Sequence, residues 1–188
     1  MLVDIDDVLA LDEYEGADPE AVKLKINGIE SAIRAYTNND FTVRGARIIA
    51  PSADGLLRGA SPYIQVGDRV QVVASGFVDD GRFLSVRNDM NVGLYDVASV
   101  SDEGIALDRT LYRADFNDVF LVRYPAAIVA GVMELMKWEA SGRDKVGVSS
   151  ESISRHSVSY YQFSDAEMLM GYPASLMGFL KPFVKARF

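Results

Sequence analysis

The chain has one histidine, His156, and no cysteine in 188 residues. Any catalytic reading must therefore be built around a single imidazole. Near it stand Ser149, Ser150, Ser152, Ser154 and Ser157, with Asp144 upstream, the residue types of a Ser–His–acid hydrolase. A hydrolytic serine needs its base in hydrogen-bond reach, and in α/β-hydrolases it is presented as G-x-S-x-G on a sharp strand-to-helix turn. That pattern is missing here, and the serines fall in a polar run, Gly147 to Tyr161, read as a loop with an alternating Ile153/Val158/Tyr160 element. Asp4, Asp6, Asp7 and Asp12 raise the question of calcium. The calcium loop needs glycine at its sixth position, and that place is taken by Leu9. Gly55, Gly59 and Gly67 fit neither G-x-x-x-x-G-K nor G-x-G-x-x-G, so no phosphate cradle is expected. The residues therefore predict no enzyme, no metal and no cofactor, with a His156 hydrolase as the competing possibility.

Positioning elements come next. A chain of this length fits one domain, or one plus an insertion, and buries roughly 70% of its unfolded surface. The absence of cysteine excludes disulfides and thiolate metal sites and suits a reducing cytoplasm. No apolar run reaches the ~18 residues of a membrane span, and Met1-Leu-Val-Asp4 does not read as a signal peptide, so a soluble, intracellular product without membrane partners is expected. The net charge of −8 divides into −7 over residues 1–40, −2 over 41–124 and +1 over 125–188. Nucleic-acid binding demands a positive stripe, and the middle segment instead balances nine arginines with eleven acids. It also lacks the aromatic–basic clusters that stack single strands.

Asp4 to Leu11 reads as a short helix. Asp18-Pro19-Glu20 opens a longer one, with a capping aspartate, proline at the first position and an acid at the positive end of the dipole. It runs to about Thr37 with Val22, Ile26, Ile29, Ile33 and Tyr36 on one buried seam. Pro125 opens a third helix, Ala126 to Ala140, with Ile128, Val132 and Leu135 on one stripe and Val129, Met133 and Met136 beside it. Small residues (Gly28, Ala32, Ala35 on one helix; Ala127, Gly131 on the other) predict that these two helices cross near Gly28 and Gly131. A further short helix is expected over Ala174–Leu180. Between the helices, Ala46–Ala50, Arg69–Ser75, Arg82–Asn88, Leu94–Val100, Ile105–Leu107 and Val119–Arg123 read as strands divided by turn signals at Gly67-Asp68, Asp79-Asp80-Gly81, Asn88-Asp89 and Asp102-Glu103-Gly104. The expected fold is α+β: a small α-helical bundle core built from residues 1–40 and 125–188, with an antiparallel β-barrel or sandwich inserted at 41–124.

The last third carries a family likeness. A long apolar helix, then Gly147-Val-Ser-Ser-Glu-Ser-Ile-Ser-Arg-His-Ser-Val-Ser-Tyr160, then a short helix ending in Leu180-Lys-Pro-Phe183 and a basic tail, resembles the head-to-tail connector proteins of long-tailed, siphovirus-type bacteriophages. These are also called adaptor or head-completion proteins. The likeness spans Pro125–Phe188 and, more weakly, the opening helices to Tyr36. It implies a structural virion protein at the neck, assembled in the host cytoplasm. There it forms a ring, by family precedent a dodecamer, beneath the portal, and extends the DNA channel as a platform for the stopper or tail-terminator protein. Genomic DNA passes through without sequence-specific binding. Carried over by position, the inter-subunit loop is Ser150, Glu151, Ser152, Ile153 with Ser157, Val158 and Tyr160, and the portal-binding or neighbour-binding arm is Leu180, Lys181, Pro182, Phe183, Val184, Lys185, Arg187 and Phe188. Phe179, Phe183 and Phe188 alternate with Lys181, Lys185 and Arg187, as aromatic anchors of a docking arm or, for Phe179 and Phe183, as caps on the chain's own core. The inserted module of about eighty residues departs from the compact family pattern. Another neck or tail-completion ring protein, whose barrel itself forms the ring, is the nearest alternative.

Overall fold

The computed structural model describes residues 1–59, 61–79, 82–87, 89–141, 150–153, 156–159 and 167–186. It is an α+β protein whose chain divides into two compact units: one comprises Met1 with Asp40–Arg123, the other Leu2–Asn39 with Tyr124–Phe188.

The first unit is a closed antiparallel barrel. Its strands are β1 (Thr42–Ala53), β2 (Leu56–Leu57), β3 (Arg69–Asp79), β4 (Arg82–Arg87), β5 (Gly93–Ser101), β6 (Gly104–Leu107) and β7 (Ala114–Val122). Six of them close in the order β3-β5-β6-β2-β1-β7 and back to β3, while β4, among the described residues, pairs only with the far half of β3. Closure demands bent strands, and register shifts supply the bends at Val43/Arg47 and Ala50/Ser52 in β1, Val72/Ala74 in β3 and Val97/Ser99 in β5. Alternation puts Val70, Val72, Val97, Ile105, Leu107 and Val119 inside, joined by Leu57, Ile64, Tyr95 and Leu111. The β1–β2 turn is Asp54-Gly55, both at positive φ (54° and 82°), the pairing that a tight two-residue hairpin requires. One end of the barrel is plugged by polar groups. Asn91 Nδ2 donates to the Tyr112 carbonyl (2.8 Å) and to Asn117 Oδ1 (3.0 Å), Asn91 Oδ1 accepts from the Tyr112 N–H (2.8 Å), and Asn117 Nδ2 donates to the Ala50 carbonyl (3.1 Å).

The second unit holds α1 (Ile5–Leu9), α2 (Pro19–Thr37), α3 (Ala126–Ser141), two short antiparallel strand pairs, β8 (Ser150–Ile153) with β9 (His156–Ser159) and β10 (Met168–Leu169) with β11 (Tyr172–Pro173), and a 3-10 helix at Gly178–Phe183. The expected caps form: Asp4 accepts from the Asp6 N–H, and Asp18 from the Glu20 N–H with Pro19 following. Val22, Ile26, Ile29 and Ile33 are buried as the seam requires. At its end the seam rotates onto Thr37, whose hydroxyl donates to the Ile33 carbonyl (2.7 Å), and Tyr36 stays half-buried. In α3, Ile128, Val132, Leu135 and Met136 are buried, whereas Val129 and Met133 are half-covered.

Three expectations are corrected. No α-helix spans Ala174–Leu180. The chain makes turns there, then the 3-10 helix, because Pro182 lacks an N–H and Gly178 disfavours a longer α-helix. The serine-rich segment is not simply loop, since its described parts, β8 and β9, pair antiparallel. Nor do α2 and α3 cross at Gly28 and Gly131. A Cβ at Gly28 would meet nothing within 4 Å, while one at Gly131 would collide with Cγ, Cδ1 and Cδ2 of Phe179. The close approach that Gly131 permits is to the C-terminal 3-10 helix, which packs against both helices.

Candidate functional site

The C-terminal segment carries the described part of the candidate docking arm. Met177 and Leu180 are fully buried, and Phe179 lies against Gly131, so this stretch is core. Beyond it, the backbone is tied to the end of α2. The Lys185 N–H donates to the Thr37 carbonyl (2.8 Å), Asn39 Nδ2 to the Phe183 carbonyl (3.3 Å) and Asn38 Nδ2 to the Ala186 carbonyl (3.1 Å). Asn38 adopts the left-handed conformation (φ 49°) that ends a helix. One of the carbonyls that the helix terminus leaves unbonded thereby gains a partner, and a lysine-bearing segment comes to the negative end of the dipole.

Of the residues carried over as an arm, Leu180 is therefore interior and Phe183 half-buried, while Lys181, Pro182, Val184 and Lys185 are exposed. Arg187 and Phe188 lie outside the described residues. In the serine segment, Ser150, Glu151, Ser152 and Ile153 form β8, and Ser157 and Val158 lie in β9. Tyr160 falls outside the described residues, as do Tyr161 and Phe163.

The hydrolase reading gains no constellation. His156 is placed in β9 opposite Ile153, and Ser157 opposite Ser152. Asp144, Ser149 and Ser154 lie outside the described residues. Among the described residues no group of three or more His, Cys, Asp or Glu side chains could hold a metal ion, and Asp4 is occupied in capping α1. No described helix is long and apolar enough to cross a membrane.

A groove of about 370 Å³ runs beside α2, lined by Lys25, Gly28, Ile29 and Ala32 with Glu139, Met170 and Tyr172. The small-residue stripe of α2 opens onto this groove. Lys25 Nζ stands 3.6 Å from the buried Glu139 carboxylate. Tyr14 donates to the Met136 carbonyl (3.0 Å), and its hydroxyl pKa is raised by burial first and by the Glu139 and Glu13 charges second.

Sequence reasoning missed the polar cluster at Glu30. This carboxylate is fully buried on α2 and accepts from the Tyr124 hydroxyl (2.7 Å), to which the Arg34 guanidinium also donates (3.4 Å). Burial first, then the Glu30 charge, pushes the Tyr124 pKa strongly upward. A signal was available: Glu30 occupies a seam position between Ile26 and Ile33, where a charge must be paired to be tolerated.

On the barrel, four arginines are committed internally. Arg47 forms a two-pronged pair with Asp118 (2.7 and 2.9 Å) and lies over Phe120, Arg69 binds Asp96 (2.8 Å), Arg58 binds Asp54 (2.8 Å), and Arg109 stacks on Tyr95 and donates to the Leu94 carbonyl. Each guanidinium spent this way is less available to a phosphate backbone. No family model matches the chain, and no curated protein matches it.

Proposed function

We propose that this chain is a structural, non-enzymatic adaptor of the head-to-tail connector of a long-tailed bacteriophage. Its copies assemble into a closed ring, a dodecamer by family precedent, beneath the portal. The ring extends the DNA channel and offers a platform to the stopper or tail-terminator protein, so its place is the virion neck. In this proposal the second unit acts as a helical bundle that carries ring and portal contacts, and repeated weak contacts become strong through multivalency.

The observation that supports this most is the C-terminal segment. Its backbone is pinned to the end of α2, and it displays Lys181, Pro182, Val184 and Lys185 to solvent. A preorganised patch of two cations around an apolar residue loses little entropy on docking and complements an acidic partner surface. The Gly147–Tyr160 sequence block points the same way.

The test is Lys181→Glu with Lys185→Glu in one variant. Both side chains are exposed, so the fold survives, and binding to isolated portal rings falls at least tenfold at moderate salt. Unchanged binding overturns the assignment of this patch. It then favours the alternative of another neck or tail-completion ring protein, which the closed barrel with its β4 edge supports.

A further inference from the structure

The groove beside α2 combines an apolar trough with a buried charge. Gly28, Ile29, Ala32 and Met170 contribute hydrocarbon, thioether or bare backbone, and the Glu139 carboxylate, its side chain only 3% exposed, lines the same space. A buried carboxylate keeps its charge only beside cations and donors. Lys25 is one such cation, but its Nζ stands 3.6 Å away, beyond the range of an N–H···O hydrogen bond, and its side chain is half-exposed. This is a loose ion pair made by a flexible stem, which costs little to break in favour of water. Tyr172 adds an aromatic residue to the lining, and the Trp138 ring braces it with centroids 5.6 Å apart. Carboxylate, aromatic and thioether groups around about 370 Å³ are surroundings that suit an organic cation on a hydrocarbon stem.

Among such cations a guanidinium fits better than an ammonium. It is planar and weakly hydrated, offers two N–H groups to one carboxylate, and stacks on aromatic rings. Gly28 leaves room for a flat group against the helix, since a Cβ there would meet nothing within 4 Å. The local charge agrees, because residues 1–40 carry a net −7. The groove is open to solvent, and Leu24, on the same helix face as Gly28, is 74% exposed. An exposed leucine there prolongs the apolar contact past the groove. A side chain still attached to its own backbone can use that contact, whereas a free small molecule in the groove does not reach it.

We propose that this groove receives an arginine side chain from a partner protein, its guanidinium replacing Lys25 at Glu139. The site stands whether or not the ring proposed above forms.

Trp138 is the chain's single tryptophan, so its fluorescence reports on the Tyr172 side of the groove without a label. The intact protein is titrated with acetyl-Ala-Arg-Ala-amide, and calorimetry on the same samples records any binding that the indole does not sense. Saturable binding by millimolar peptide is expected, and Glu139→Gln should weaken it about tenfold or more by removing a charged hydrogen-bond acceptor. Gly28→Leu fills the trough from an exposed position, so binding is lost while the circular dichroism stays native. Lys25→Met removes the competing cation and should tighten binding. No binding of the arginine peptide overturns the proposal, and so does unchanged affinity in Gly28→Leu. Equal binding of acetyl-Ala-Leu-Ala-amide overturns the role of the guanidinium. Ethylguanidinium binding as tightly as the peptide overturns the protein-borne source.

Discussion

Gly28 and Gly131 occupy similar places in sequence, each near the middle of a helix, and the structure assigns them opposite responses to a single methyl group. Replacing a mid-helix glycine with alanine gains about 1 kcal/mol of helix propensity when the site is open. At Gly28 a Cβ meets nothing within 4 Å, so Gly28→Ala should stabilise by about that amount. At Gly131 the new Cβ falls inside contact distance of the root of the Phe179 ring. Because Leu180 next to it is fully buried, the ring cannot swing away without disturbing the core. Overpacking of this kind costs about 1–3 kcal/mol, which cancels or exceeds the propensity gain. Gly131→Ala should thus lie about 1–3 kcal/mol below Gly28→Ala in stability. Urea unfolding followed by circular dichroism at 222 nm reads the difference as a shift in midpoint. Phe179→Ala placed in the Gly131→Ala background should recover part of the loss, and the double-mutant cycle measures that coupling directly. Equal stabilisation by the two alanine variants would refute the packing described for the C-terminal 3-10 helix.

Tyr124→Phe removes a hydrogen bond to the buried Glu30 carboxylate and should cost about 1.5–3 kcal/mol, the usual worth of a hydrogen bond to a charged group, as measured by urea midpoint. The same hydroxyl sets an alkaline limit. Its folded pKa is raised, so its contribution is complete below the unfolded value of about 10 and is lost as pH rises above it. Tyr124→Phe should therefore flatten the loss of stability in titrations above about pH 10. Asp96 works in the opposite direction. Burial raises its pKa, but the Met1 amino group and Arg69 outweigh burial and leave it lowered, so its contribution is present above about pH 4 and disappears as acid protonates the folded carboxylate. Asp96→Asn should reduce the slope of acid unfolding below about pH 4. Asn91→Ala, which deprives the Tyr112 N–H and the Asn117 carbonyl oxygen of their partner, should cost about 1–3 kcal/mol for each group left unpaired, visible as a lowered midpoint of barrel unfolding.

The parts of the fold legible in the sequence are those governed by local rules. Asp18-Pro19 starts α2 because capping and proline placement act within one turn. The strand candidates are legible as short Val/Ile-rich runs between turn residues, whereas β2, two residues long, is too short to show alternation and is signalled only by its Asp54-Gly55 turn. What stayed hidden depends on contacts far apart in the chain. A glycine signals that a side chain is unwelcome or unnecessary, and nothing local distinguishes Gly131, pressed by Phe179, from Gly28, facing open space. Asn91 and Asn117 carry no local sign of pairing, and the barrel brings them within 3.0 Å. The tail was legible as basic and aromatic but not as docked, because the Asn38 and Asn39 side chains that hold it lie more than 140 residues earlier.

The most direct measurement is electron microscopy of the purified protein mixed with isolated portal rings. Ring-shaped densities of this chain stacked coaxially on the portal are the predicted result. Portals left bare beside monomeric protein would contradict the proposed role.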